Sequence, residues 1–367
     1  DTTKWNYNVH VYPKNTLSGV DKQVTDKPAP GSGQNITYTI TTSIPKVDYP
    51  GGARIKRYEV VDQLDKRINK STLAPVVKIV SGQQETVLAD TTDYTLITAE
   101  GTKHNWATIQ LTEEGRRKAA EARHNGNGET KVQVTLTATF DPKSVDLEGV
   151  LSNTAGLIPN DSPNFTWDPN NPGTTTDVPG IPTTPVLSKY GKVNLTKTGT
   201  DKLDDKTKYN GAQFQVYECT KTASGATLRD GDPSTPTVDP LTIGGEKTFT
   251  TAGQGTVTIN SLRANDYVDG VKKDALTDED YYCLVETKAP EGYTLQPDPI
   301  PFRVLATDAE AKVPTEVTVT DVPKNAGFRL PLTGANGVIF LTVAGALLVV
   351  GGAVIAYANK RRHAAKH

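Results

Sequence analysis

Methionine is missing from all 367 residues, and the chain opens on Asp1. A start without the initiator residue is expected of a processed or truncated chain, so a preceding piece is expected to have been removed. Histidine is scarce: the five residues lie at 10, 104, 124, 363 and 367. None pairs with a carboxylate, serine or cysteine at a spacing that signals catalysis or metal binding. The sequence therefore gives no support to an enzyme with turnover, and it implies no cofactor and no metal. Charge of one sign is also lacking. The net value is -2, which leaves no electrostatic footprint for nucleic acid. Cysteine occurs only at 219 and 283, and the chain is poor in Phe, with seven. What it has in quantity is Gly (31), Pro (24) and Thr, over a length suited to two domains or a little more.

The tail contains the one long run without charge. Val338 to Tyr357 is a predominantly apolar run with no charged residue, and about 20 such residues in a helix span a bilayer core of roughly 30 Å. Lys360, Arg361, Arg362 and Lys366 follow, as the positive-inside rule asks of a cytoplasmic end. Just ahead stands Leu330-Pro331-Leu332-Thr333-Gly334. Motif, span and basic end together resemble a cell-wall sorting signal. That resemblance implies a sortase transpeptidase that cuts between Thr333 and Gly334 and joins the Thr carbonyl to an amine. Export follows, with a membrane-spanning stage before cleavage and a place on the wall peptidoglycan after it. In an exported chain an even pair of cysteines implies one disulfide, Cys219 with Cys283.

Near the start, Trp5-Asn6-Tyr7-Asn8-Val9-His10-Val11-Tyr12-Pro13-Lys14 alternates as an extended segment. Pro13 fixes its own φ and pushes Tyr12 toward extended geometry, which holds Lys14 out. The stretch resembles the pilin motif of Gram-positive major pilins. With the sorting signal, the chain resembles LPXTG-anchored, isopeptide-forming fimbrial major subunits, in which the motif lysine attacks the sortase-bound Thr of the next subunit. This implies a shaft joined from Lys14 to Thr333, with identical subunits, pilin-specific and housekeeping sortases and minor pilins as partners. Members of that family carry an N-terminal domain before the motif; here almost nothing precedes Trp5.

The expected fold is all-β: two tandem Ig-like β-sandwiches, CnaA-like then CnaB-like, and a C-terminal transmembrane sorting helix. Residues 1–18 form the pilin-motif segment and 19–158 the first sandwich, with alternating strands around 34–40, 57–61 and 131–139. A short helix is expected from Thr112 to Arg123. Residues 159–187, punctuated by seven prolines from Pro159 to Pro185, read as a semi-stiff extended joint. Residues 188–326 form the second sandwich, and 327–367 the sorting signal.

The resemblance implies one internal crosslink per sandwich. In the first, Lys22, Asp62 and Asn153 match the lysine, acid and asparagine in order and local pattern, with Asp65 as rival acid. In the second, Val193, Leu195 and Lys197 share a strand face, an odd place for a charge. Tyr282-x-Leu284-x-Glu286-Thr287-x-Ala289-Pro290-x-Gly292-Tyr293 resembles the E-box of CnaB-type pilin domains, with Glu286 as the acid. The partner of Lys197 is expected to be Asn325, with Asp321 as the alternative. A different class stays open beside the shaft: a single wall-anchored adhesin that binds a host protein or glycan through loops such as 223–245.

Overall fold

The computed structural model describes residues 19–26, 35–47, 49–51, 54–126, 130–139, 149–160, 166–229 and 238–324. The first sandwich contains β1 (Val20–Thr25), β2 (Asn35–Ser43), β3 (Glu59–Leu64), β4 (Ala74–Ser81), β5 (Gln84–Val87), β6 (Tyr94–Glu100), β7 (Asn105–Leu111), α1 (Glu113–Asn125), β8 (Lys131–Thr139) and β9 (Gly149–Ile158). One sheet runs β1-β2-β8-β4-β5. Its strands alternate strictly: Ile36, Tyr38 and Ile40 of β2 and Val132, Val134 and Leu136 of β8 point into the core. The threonines between them face out, as a half-buried antiparallel sheet requires. The other sheet places β9 beside β3, then β7 and β6. The helix begins where the sequence signals it. Thr112 caps the amide of Gly115, with Glu113 and Glu114 in the first turn.

β3 is buried on both faces, and the reason lies in the proline-rich stretch. Residues 166–182 fold back over the outer face of the sheet instead of forming an extended joint. Trp167 packs on Trp106 with ring centroids 5.0 Å apart, in a small core shared with Val61, Ile158 and Val178. β10 (Ile181–Pro182) pairs with β9. Close approach needs glycine on both sides: a Cβ on Gly156 would meet the Pro179 carbonyl oxygen at 2.1 Å, and one on Gly180 would meet that of Leu157 at 2.4 Å. Composition reads these prolines as a spacer. It cannot register a single tryptophan whose burial is worth several kcal/mol.

β11 (Val186–Gly199) then crosses from one sandwich to the other as a single strand. Its first residues pair antiparallel with β9, from Val186 opposite Asn153 to Tyr190 opposite Gly149. Its later residues belong to the second sandwich, which adds β12 (Gln213–Thr222), β13 (Gly225–Leu228), β14 (Phe249–Thr250), β15 (Thr256–Arg263), β16 (Tyr267–Val268), β17 (Val271–Lys272), β18 (Tyr281–Lys288), β19 (Ile300–Phe302), α2 (Ala306–Ala311) and β20 (Thr315–Asp321). β15 and β20 flank β11, with β20 parallel to it. The facing sheet runs β13-β12-β18-β19. Between the sheets lie Val193, Leu195, Phe214, Val216, Ile259 and Leu284. Cys219 and Cys283 are bonded across neighbouring strands, with Cα atoms 5.8 Å apart and a sequence separation of 64. Such a tie stabilises by about 4 kcal/mol in the chain-entropy model.

The junction is fastened a second time at the end of β1. The Asp26 amide donates to Asp269 Oδ1 and the Asp269 amide to Asp26 Oδ1, both at 2.9 Å. Nearby, Lys189 sits 4.1 Å above the Tyr267 ring and pairs with Glu310. Shared strand and reciprocal clasp leave the two sandwiches docked.

Two outcomes follow. Trp167→Ala should cost about 3–5 kcal/mol and expose 166–182 to proteolysis, read by melting and limited digestion. Burial pushes the Asp26 carboxyl up, so the folded state holds its proton more tightly than the unfolded one. Its contribution is therefore greatest in acid, below the unfolded pKa near ~4, and is lost as pH rises through the folded value. Asp26→Asn keeps the acceptor for Asp269 and removes the charge. It should melt higher than the parent at pH 7 and match it near pH ~4, in paired melts.

Candidate crosslinking sites

Each sandwich encloses one lysine. In β1, Lys22 alternates inward with Val24, and its ammonium has no exposed side-chain surface. It crosses between the sheets to reach Asp62 of β3, with Nζ 2.5 Å from Oδ1. The Tyr38 ring of β2 lies 4.6 Å from the same nitrogen. Asp62 stands opposite Ala155 in the β3–β9 register. Asn153, two residues before Ala155, therefore shares the inward face of β9 and sits one diagonal step from Asp62. Asn153 is 1% exposed. It approaches Asp62 and Tyr38 without completing a hydrogen bond: its side-chain oxygen and nitrogen both lack a partner, as does Asp62 Oδ2. An unpartnered primary amide in a dry core costs about 1–3 kcal/mol, so its burial here is a marked feature.

Electrostatics push this pair toward its neutral forms. Burial lowers the Lys22 pKa, opposed by the charge and hydrogen bond of Asp62. Burial raises the Asp62 carboxyl, opposed by Lys22. Desolvation is the larger cause for both, as expected for ions cut off from water. The rival acid is engaged elsewhere. Asp65 pairs with Arg67 at 2.7 Å. Although burial acts to raise it, the Arg67 hydrogen bonds and charge hold its carboxyl below the usual range.

In the second sandwich Lys197 is fully buried among Val193, Leu195 and their neighbours. Its register partner on β20 is Val319, and Gly199 stands opposite Asp321. Asp321 thus follows Val317 and Val319 on the inward face and contacts the Lys197 ammonium. Glu286 of β18 lies on the other side, with Oε1 3.4 Å from Nζ, and its Oε2 accepts from the Gln296 amide at 2.7 Å. Neither Asp321 oxygen, nor Glu286 Oε1, makes a well-directed hydrogen bond. Burial pushes the Glu286 carboxyl up; Gln296 and Lys197 oppose this, and the Asp321 charge adds to it. Two carboxyls and one lysine thus share a site without side-chain exposure.

The structure thus brings together Lys22, Asp62 and Asn153, and separately Lys197, Glu286 and Asp321. Lys14, Asn325, Thr333 and the other sorting residues Leu330, Pro331, Leu332 and Gly334 lie outside the described residues. Sequence reading missed three contacts: the Tyr38 ring, the Gln296 amide and the Val319 carbonyl, 3.4 Å from Lys197 Nζ. The inward position of Tyr38 is readable from the alternation of β2. The two backbone groups carry no side-chain signal.

Residues 191–322 match the prealbumin-like fold domain family, and residues 322–365 match the LPXTG cell wall anchor motif. The chain is 87% identical over its whole length to the type 1 fimbrial subunit of Actinomyces viscosus, covering 68% of that protein. It is 33% identical over 98% of its length to the type 2 fimbrial subunit of Actinomyces naeslundii, covering 64% of it. Among solved structures, the fimbrial protein FimP of Actinomyces oris is 86% identical with a TM-score of 0.79, over 88% of this chain and 72% of that one. The full-length major pilin SpaD of Corynebacterium diphtheriae is 25% identical with a TM-score of 0.59, over 84% and 65%. A wall-anchor motif behind tandem β-sandwiches, in a chain so close to fimbrial subunits, places this protein on the cell wall surface. It belongs to the LPXTG-anchored major pilins, the shaft subunits of surface fimbriae.

Proposed function

We propose that this shaft subunit polymerises through Lys14 of one copy and Thr333 of the next, as a substrate of sortases. Each copy is further stiffened by a Lys22–Asn153 and a Lys197–Asp321 amide. The domain division behind this is a pilin-motif segment to residue 18, sandwiches at 19–158 and 188–326 with the Pro-rich 159–187 between them, and the sorting signal from 327. The observation that carries the reading is the same constellation twice: a fully buried lysine, a buried acid with a raised pKa, and a buried carbonyl side chain with unsatisfied polar atoms. Asp321 is preferred to Asn325 because it touches the lysine.

The chemistry needs no cofactor. In the first sandwich the proton passes from Lys22 to Asp62, and the neutral amine attacks Asn153 Cγ. Protonated Asp62 donates to the amide oxygen as charge develops there, then delivers its proton to the departing nitrogen. One C–N bond forms, one breaks, and ammonia leaves. In the second, the amine of Lys197 attacks Asp321 Cγ while Glu286 moves the protons, and water leaves. Fixed proximity supplies much of the acceleration, and each reaction happens once per molecule. Minor pilins and peptidoglycan complete the partners of the assembled fibre. The fimbrial relatives favour this polymer over a monomeric adhesin.

Intact mass of a soluble fragment ending before Leu330 should show one ammonia and one water lost. Peptide mapping should join Lys22 to Asn153 and Lys197 to Asp321. Asp321→Asn should turn the lost water into ammonia. A second ammonia lost from the parent, with Lys197 joined to Asn325, would replace Asp321; an unchanged mass would remove both crosslinks. Asp62→Ala should keep the first ammonia in place while the water is still lost. It strands Lys22 without a counter-charge, which costs about 3–5 kcal/mol, and the loss of the tie adds to this in calorimetry of the first sandwich.

A further inference from the structure

The far end of the second sandwich carries an open cleft of about 840 Å³, lined by Lys288, Ala289, Pro290, Tyr293, Leu295 and Lys324, among others. We infer that this cleft is the docking site for the Trp5–Lys14 segment of the next subunit. The inference rests on the polymer reading above and adds the surface on which the joint is seated.

The cleft lies where the chain leaves the described residues. After β20 the backbone zips onto the E-box loop. The Thr294 amide and hydroxyl both donate to the Val322 carbonyl at 2.9 Å, and the Lys324 amide donates to Gly292 at 2.8 Å. Tyr293 is pinned from below by its hydroxyl, which donates to Asp201 Oδ2 at 2.6 Å, and by the Tyr209 ring, 5.5 Å away centroid to centroid. The wall is therefore set before a partner arrives, and little ordering remains to oppose binding.

Reach selects the occupant. Thr333 follows Lys324 by nine residues, which span at most about 30 Å. A Lys14 joined to that threonine is held within this radius, at an effective concentration on the order of millimolar, where a shallow cleft suffices. The chain's own segment departs from the opposite end. The chain meets the second sandwich just past the C-terminal end of β1, at Asp26, so Gly19 lies toward the distal end of the first. Lys22 lies level with Asn153 and hence with Val186, and from there β11 runs roughly 40 Å to Gly199 at ~3.3 Å per residue.

Chemistry agrees with reach. Leu295 is 46% exposed and lies beside Pro290 and Tyr293, an apolar strip at the mouth of the cleft. In an extended Trp5–Lys14 segment, Tyr7, Val9 and Val11 share one face, and Trp5 and Pro13 extend it. Such an apolar strand face needs a floor of this kind.

The test uses full chains carrying Val11→Cys and Leu295→Cys, assembled into fibres by the native sortase, oxidised and digested. The expected result is a disulfide-linked pair of peptides from these two positions, in the same fibres that yield the Lys14–Thr333 joint. Val11→Cys with Val271→Cys, a residue 66% exposed on the β16–β17 hairpin, should give no such pair. The joint without the Val11–Leu295 disulfide would overturn the docking site alone. Absence of the joint would overturn the polymer reading, and the docking site with it. As a second readout, Leu295→Asp should shorten the fibres severalfold on a denaturing gel while leaving the Cys219–Cys283 bond and the melting temperature unchanged.

Discussion

A lysine cut off from water must keep a counter-charge within contact or give up its proton, and both sandwiches are built around that constraint. Lys22 and Lys197 each occupy a core position that a leucine would fill at far lower cost. What makes the cost bearable is an acid one side chain away, Asp62 or Glu286. The same acid makes the arrangement reactive. Desolvation drives Lys22 and Asp62 toward amine and carboxylic acid and pushes the Glu286 carboxyl up, toward the forms that the proposed condensation with a neighbouring carbonyl side chain consumes. Once an amide forms, the buried charge is gone and the unsatisfied polar atoms of Asn153 or Asp321 with it. On the proposed reading the amide relieves both costs, which gives the proposed reaction a direction without any external energy source.

The strand β11 links these two centres. Val186 pairs with Asn153, and Lys197 stands eleven residues later on the same strand. With both proposed amides in place, pull applied ahead of Lys22 crosses to Asn153, and pull at Lys197 crosses to β20. Residues 23–152 and 198–320, including the disulfide, then lie outside the tension path. What remains in it is 154–196: the end of β9, the folded-back prolines and β11. Backbone pairing from Val186 to Tyr190, the β10 bridge and the Trp167 core hold that stretch closed, each bond contributing only about 1 kcal/mol net. The contrast explains why the junction is so heavily fastened, by a shared strand on one side and the Asp26–Asp269 clasp on the other.

Much of this was legible in the sequence because it rests on period two. The alternation of Ile36, Tyr38 and Ile40, or of Val193, Leu195 and Lys197, fixes which side chains enter a core, so the inward Lys197 and Glu286 could be read directly, whereas Lys22 was reached only through the family resemblance. The helix at Thr112 was legible because its cap is local. Two features were not. Residues 166–182 carry no periodicity, and their fold depends on where one tryptophan and two glycines meet a sheet formed far away in sequence. The separation of Asp62 from Asp65 depends on Arg67, whose preference for the second carboxyl only geometry reveals.

The choice of partner for Lys197 shows how register decides what composition leaves open. Parity alone puts Asp321 on the face of Val317 and Val319, and the parallel pairing of β20 with β11 sets it opposite Gly199, one step along from Lys197 and in contact with its ammonium. Beyond Asp321 the backbone leaves β11, and Val322 and Lys324 pair with Thr294 and Gly292. Lys324 lines the cleft at the end of the sandwich rather than its core. The acid inside the core and the exit of the chain are thus separated by one proline. On the proposed reading, the core serves crosslinking within a subunit and the rim joining between subunits.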